Sequence, residues 1–99
     1  MEKQFETNGR ELRLKYTFNS ICAIEDRAGM PLEKLMSRRF TPVRLLFWGA
    51  LTELQPEISL REAGEIIGSH IRAGGSLEDI ALLCADALEE AGFAAPTGE

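Results

Sequence analysis

The sequence predicts a mainly α fold, with an N-terminal β-hairpin packed on a small bundle of four to five short helices. Three observations carry this reading. Asn8-Gly9 stands between two runs that alternate apolar and polar residues, the signature of a two-residue hairpin whose turn positions both need positive φ. From Thr17 onward the apolar residues recur at three- and four-residue spacing, the period of a helix face. Ser, Thr and Pro then mark where helices start, and Gly marks where they stop.

The hairpin covers residues 3–17. Pairing outward from Asn8-Gly9 sets Thr7 opposite Arg10, Phe5 opposite Leu12 and Lys3 opposite Leu14, so Phe5, Leu12, Leu14 and Tyr16 share one face. Glu11, Arg13 and Lys15 take the other. A lone two-stranded hairpin is marginal in water, so the apolar face needs helices or another subunit's sheet edge to cover it. A helix over about 18–28 follows, with Thr17 or Asn19 as N-cap, Phe18, Ile21, Cys22 and Ala28 on its apolar side, and Gly29 as its stop. Pro31 opens a short helix over 31–38, with Leu32, Leu35 and Met36 facing inward and basic residues at its end.

Thr41-Pro42 reads as an N-cap followed by proline at the first helical position. The helix it opens, 42–54, is the most apolar: Val43, Leu46, Phe47, Ala50, Leu51 and Leu54 form one stripe, and Leu45 with Trp48 adds a second side. A helix apolar on two sides lies at the centre of a core or faces a partner. "QPEIS" links it to a helix over 60–73, capped by Ser59 with Glu62 and ended by Gly74-Gly75. Ser76 with Asp79 caps the last helix, 77–91, where Leu77, Ile80, Ala81, Cys84, Ala87, Leu88 and Ala91 form the buried stripe. Gly92 stops it, and residues 93–99 read as a flexible tail on a single domain spanning 1–92.

At 99 residues the chain has room for one modest core, and 44% apolar with 27% charged residues is a globular composition. The net charge of −5 hides an asymmetry. Residues 1–44 hold nine Lys/Arg against six Asp/Glu, a balance of +3, and residues 45–99 hold two against ten, a balance of −8. An acidic second half repels nucleic acid and favours basic partners; the plainer reading is solvated helix faces that keep the chain soluble. Cys22 and Cys84 sit inside apolar helical patterns, as reduced core cysteines of a cytosolic protein do. The longest apolar run, Leu45–Leu51, falls well short of the roughly 18 residues that span a bilayer, and the N-terminus shows no signal region. A soluble protein that is not exported is expected.

The scarce residues decide what chemistry is available. His70 is the single histidine; it lies late in a helix near Ser69 and Glu65, with neither triad order nor ligand spacing around it. Glu25 and Asp26 are adjacent on a helix, so they point about 100° apart and cannot converge on one substrate. Gly64-x-x-x-Gly68 would let a neighbouring helix approach closely, and Gly74-Gly75 ends a helix instead of cradling an anion before one. The sequence therefore offers no catalytic, metal-binding or cofactor-binding set. A helix-turn-helix regulator is the rival reading of 60–73 and 77–91, but its second helix carries five acids and no base between Leu77 and Ala91. Lys34, Arg38, Arg39 and Arg44 form the basic cluster, in the position of a helix-end charge group.

Asn8-Gly9, Leu12-x-Leu14, Phe18-Asn19, Ile24-Glu25 and Gly29-x-x-Leu32-x-x-Leu35, with a weaker correspondence as far as Leu88, resemble the tail assembly chaperones of long-tailed phages. The similarity is to the gene-transfer-agent version in particular, whose members are also labelled tail tube proteins. The matching positions are mostly structural ones.

The resemblance implies a non-enzymatic cytoplasmic factor of a bacterial host, encoded by a phage, prophage or gene transfer agent. Such a factor binds the long helical tape-measure protein, promotes polymerisation of tail-tube subunits around it, and is absent from the finished particle. It implies no catalytic motif, no cofactor, and no nucleic-acid or membrane partner. A structural tail component, tail tube or minor tail protein, is the alternative within the same setting. Shielding a long client needs apolar surface and self-association. Phe40, Phe47 and Trp48 are the residues expected to anchor a client helix, against the competing reading that they fill the core; the hairpin's free edge is a second surface suited to strand pairing between copies.

Overall fold

The computed structural model describes residues 3–7, 9–35, 37–38 and 40–93. Among these, strands β1 (Lys3–Thr7) and β2 (Arg10–Leu14) form an antiparallel pair, followed by five helices: α1 (Phe18–Ala28), α2 (Leu32–Leu35), α3 (Thr41–Leu51), α4 (Leu60–Arg72) and α5 (Leu77–Glu90). The fold is mainly α with a hairpin on a helical bundle. Its register is the one the turn dictates, with Lys3 opposite Leu14, Phe5 opposite Leu12 and Thr7 opposite Arg10; Asn8 lies outside the described residues.

The two-sided apolar helix is the hub. α3 packs against α1, α4, α5 and β2, which buries Leu45, Leu46, Phe47, Ala50 and Leu51 along it. Each of the leucine and phenylalanine side chains contributes about 1.5–3 kcal/mol on burial. The inner face of the hairpin, Leu12, Leu14 and Tyr16, lies against this core with Phe5 half-buried at its margin. Three polar links seat it: the Lys15 N–H donates to the Ala50 carbonyl (2.9 Å), the Tyr16 hydroxyl donates to the Leu46 carbonyl (2.5 Å), and Gln55 brackets Arg13. The Gln55 Oε1 accepts the Arg13 N–H (2.8 Å) while its Nε2 donates to the Arg13 carbonyl (2.9 Å). A glutamine amide thus stands in for a third strand on the outer edge of β2. The outer edge of β1 carries the exposed Gln4 and Glu6. Burial raises the Tyr16 hydroxyl well above its usual range and pushes the Cys84 thiol up to about 12. Both cysteines are free, Cys84 buried and Cys22 half-buried. No helix of the described residues is long and apolar enough to cross a membrane.

Several local expectations change. Phe18 is 71% exposed, and the buried residues of α1 are Ser20 and Ile24. Thr17 is the N-cap, and its reciprocal bonds with Ser20 turn Ser20 inward. Ile24, one turn on, then faces α3, and Phe18 lies about 120° around the helix from it. α2 is one turn long: the Ser37 hydroxyl donates to the Lys34 carbonyl (2.7 Å) after Leu35, and Met36 lies outside the described residues. α3 starts one residue early, because the Phe40 carbonyl accepts the first helical bonds from Val43 and Arg44. Phe40, not Thr41, therefore holds the cap position, with no side-chain cap bond. The same helix ends at Leu51, where Thr52 turns back to the Gly49 carbonyl, and this leaves Leu54 on the surface. Phe93 is tied down: after Gly92 at φ 87° its N–H donates to the Leu88 carbonyl (3.0 Å), the outer bond of a Schellman cap. Residues 94–99 of the expected tail lie outside the described residues.

Candidate functional site

Two constellations are built by the packing of α4. The first surrounds His70. Its Nδ1 lies 3.3 Å from the Thr7 hydroxyl and its Nε2 lies 3.1 Å from Asp79 Oδ2, the ring edge meets Phe5 at a centroid distance of 5.2 Å, and the chain at Gly75 passes directly over the imidazole. Hydroxyl, imidazole and carboxylate are the members of a nucleophilic triad, but their setting is that of a clasp. Thr7 is buried, and Asp79 Oδ2 already accepts the Ser76 N–H (3.0 Å) as the far half of the α5 capping box. The three groups tie the hairpin, α4 and α5 together at one point.

Asp79 gives this clasp a pH dependence. Its carboxyl is held below the usual carboxylate range, first because it accepts the Ser76 N–H and then because it faces His70. A carboxylate favoured in the folded state adds stability above its unfolded pKa, and that stability is lost as the pH falls through the lowered folded value. Asp79→Asn is expected to flatten the acid limb of the stability curve below about pH 4. Urea titrations between pH 3 and 6 check this; equal slopes for variant and wild type would remove Asp79 from the acid response.

The second constellation is a groove of about 760 Å³ bounded by the start of α3, the outer face of α4 and the start of α5. Its floor is Gly64 and Gly68, one turn apart. A side chain at Gly64 would meet only the Arg44 stem (3.1 Å to Cδ), and one at Gly68 only the Arg72 guanidinium (3.4 Å). The glycine pair therefore does not seat a neighbouring helix within this chain; arginine side chains lie across it. Phe40, 64% exposed, and Ile71, 43% exposed, supply apolar surface. Arg44, Arg61 and Arg72 supply positive charge against a single acid, Glu65, which sits 3.4 Å from Arg61 in an exposed pair. Neither Arg44 nor Arg72 has an ion-pair partner among the described residues.

The three aromatic residues expected to anchor a partner separate. Phe40 lies on the lip of the groove. Phe47 is 0% exposed and meets Phe5 edge-on at 5.9 Å, so the expectation of a contact surface is corrected there: its ring fills the core. Trp48 is half-buried against the same core. Of the basic cluster, Lys34, Arg38 and Arg44 are exposed and Arg44 alone reaches the groove; Arg39 lies outside the described residues. Glu25 is half-buried and Asp26 exposed on α1. No group of three His, Cys, Asp or Glu side chains among the described residues is placed to hold a metal ion. Arg61, Ile71 and Arg72 are groove residues that sequence reasoning missed. Arg61 and Arg72 stand eleven residues apart on α4 with the glycine pair between them, a spacing that puts all four on one face.

No family model, curated protein or solved structure matches this chain. The groove, with its apolar lip, glycine floor and positive rim, is the feature on which a functional reading rests.

Proposed function

We propose that this chain is a non-enzymatic tail assembly chaperone of a long-tailed phage, prophage or gene transfer agent, acting in the bacterial host cytoplasm, and that an amphipathic helix of the tape-measure protein lies in the groove. The observation that carries the reading is the groove itself. Exposed Phe40 and Ile71 offer anchors for its apolar residues, and the exposed Arg44 and Arg72 side chains that lie across the glycines swing out to meet acidic flanks of the client, which opens the small-residue floor to its backbone. The sequence resemblance supports the identity of the client. A role for the α4–α5 pair in reading DNA would set the exposed acids of α5 against phosphate.

Co-expression with the long helical open reading frame of the same gene cluster tests the reading. The client is expected to stay soluble and to copurify with this chain, and a Phe40→Ser/Ile71→Ser variant is expected to lose capture at least about tenfold with a melting temperature no lower than the wild type's, since serine at the α3 cap position opposes any loss. A soluble client that never copurifies would overturn it. Mass spectrometry of purified particles separates the chaperone from a structural tail subunit, because the chaperone is expected to be absent from the finished tail.

A further inference from the structure

The two edges of the hairpin differ. On β2 the Arg13 N–H and carbonyl both bond Gln55, and just beyond it the Lys15 N–H bonds the Ala50 carbonyl, so the odd-numbered residues of this strand turn their backbone groups away from β1. In an antiparallel pair such a residue stands opposite one that turns its own groups to the other side. Arg13 is opposite Gln4 and Glu11 is opposite Glu6, so the N–H and carbonyl of Gln4 and of Glu6 point outward along β1. No bond beyond the β1–β2 ladder reaches these four groups among the described residues. One edge of the sheet is closed by α3 and Gln55, and the other is a template for a further strand.

The side chains at the open edge select the strand that fits. Glu6 and Glu11 form a non-hydrogen-bonded cross-strand pair, which sets their Cα atoms about 4.5 Å apart and places two like charges directly opposite each other. Both are exposed, and neither has an ion-pair partner among the described residues, since Arg10 is taken by Glu62 and Lys3 by Glu90. On the inner face of the same edge Phe5 is half-buried. We propose that the β1 edge receives an extended segment of a different, basic protein as a third strand, with a Lys or Arg beside Glu6 and an apolar residue beside Phe5. Its main chain pairs with the four outward groups of Gln4 and Glu6, its basic residue relieves the repulsion between Glu6 and Glu11, and its apolar residue covers the open side of Phe5. A second copy of this chain is turned away, because it carries a net charge of −5 and its own β1 would bring a further Glu6 to the edge. The inference uses neither the groove nor the client helix.

Amide hydrogen exchange of the full chain, read by NMR with a capped peptide of alternating lysine and valine as probe, tests the proposal. Without peptide, the Gln4 and Glu6 amides are expected to exchange at least about tenfold faster than that of Phe5 between them, which bonds across the ladder. Added peptide is expected to slow the Gln4 and Glu6 amides at least about tenfold and to shift the resonances of β1. E6K is expected to lose the lysine–valine peptide at least about tenfold and to bind a glutamate–valine peptide in its place. Q4P deletes one outward N–H, a change that an edge strand tolerates, and is expected to weaken binding at least about tenfold. The F40S/I71S chain is expected to bind the peptide as the wild type does, which separates this edge from client capture in the groove. No binding of the lysine–valine peptide at about 1 mM, equal binding of both peptides to the wild type, or shifts confined to residues outside the hairpin overturns the proposal. Protection of the Gln4 and Glu6 amides that grows with protein concentration in the absence of peptide overturns it as well, and assigns the edge to a second copy.

Discussion

Phe47→Ala is expected to lower the unfolding free energy by about 3–5 kcal/mol, the range for truncating a buried phenylalanine. The ring is 0% exposed at the centre of α3 and packs edge-on against Phe5 of the hairpin at 5.9 Å. Truncation removes the aromatic contact between hairpin and helix and leaves a cavity within the buried core cluster. A chain of this size has about 5–15 kcal/mol in total, and each kcal/mol shifts the melting temperature by about 4–8 °C. The variant is therefore expected to melt at least about 12 °C lower in a calorimetric scan. An unchanged melt with weakened partner binding would return Phe47 to the surface role that its sequence position suggested.

Gly49 is the second site of large effect, and there addition does the damage. A Cβ at this position would fall 2.3 Å from Ile24 Cδ1 and 2.4 Å from Cγ1, and Ile24 is itself 0% exposed. This glycine is what lets α1 lie directly on the backbone of α3. Gly49→Ala gains about 1 kcal/mol of helix propensity against about 1–3 kcal/mol of overpacking, and Gly49→Val is expected to cost about 3 kcal/mol. The diagnostic measurement is the Ile24→Ala/Gly49→Ala double variant in urea unfolding. Its loss is expected to fall short of the sum of the single losses by at least about 1 kcal/mol, since each change makes room for the other. Strict additivity would show that Ile24 is not the neighbour demanding a glycine.

These two sites show where sequence reading succeeds and where it stops. The alternation around Asn8-Gly9 named the register that the strands adopt, Phe5 opposite Leu12 among them, because a two-residue turn leaves no other pairing. Ser59 and Ser76 cap the helices they were expected to cap, because capping is settled within four residues. The inside of each helix was harder. In α1 the apolar residues suggested Phe18, and the structure buries Ile24, because the inward face is chosen by where α3 offers Gly49, twenty-five residues away. Phe40 and Phe47 are alike in sequence and opposite in burial, since one ends up at a helix cap on the rim and the other at the hub.

The groove was less legible still. Its parts come from residues 40–44 and 61–77, and no window of the sequence shows that Arg44 lies across Gly64 or that Phe40 and Ile71 share one concavity. By itself the sequence determined the hairpin, its register, the order of the helices and the serine caps of α4 and α5, because each depends on contacts between near neighbours. Only the tertiary structure decided which aromatic rings are enclosed, that His70 clasps Thr7 to Asp79, and that three arginines from both halves of the chain line one groove. Burial and charge clustering depend on which distant element covers each face, and that is set by the packing of all the helices on α3 at once.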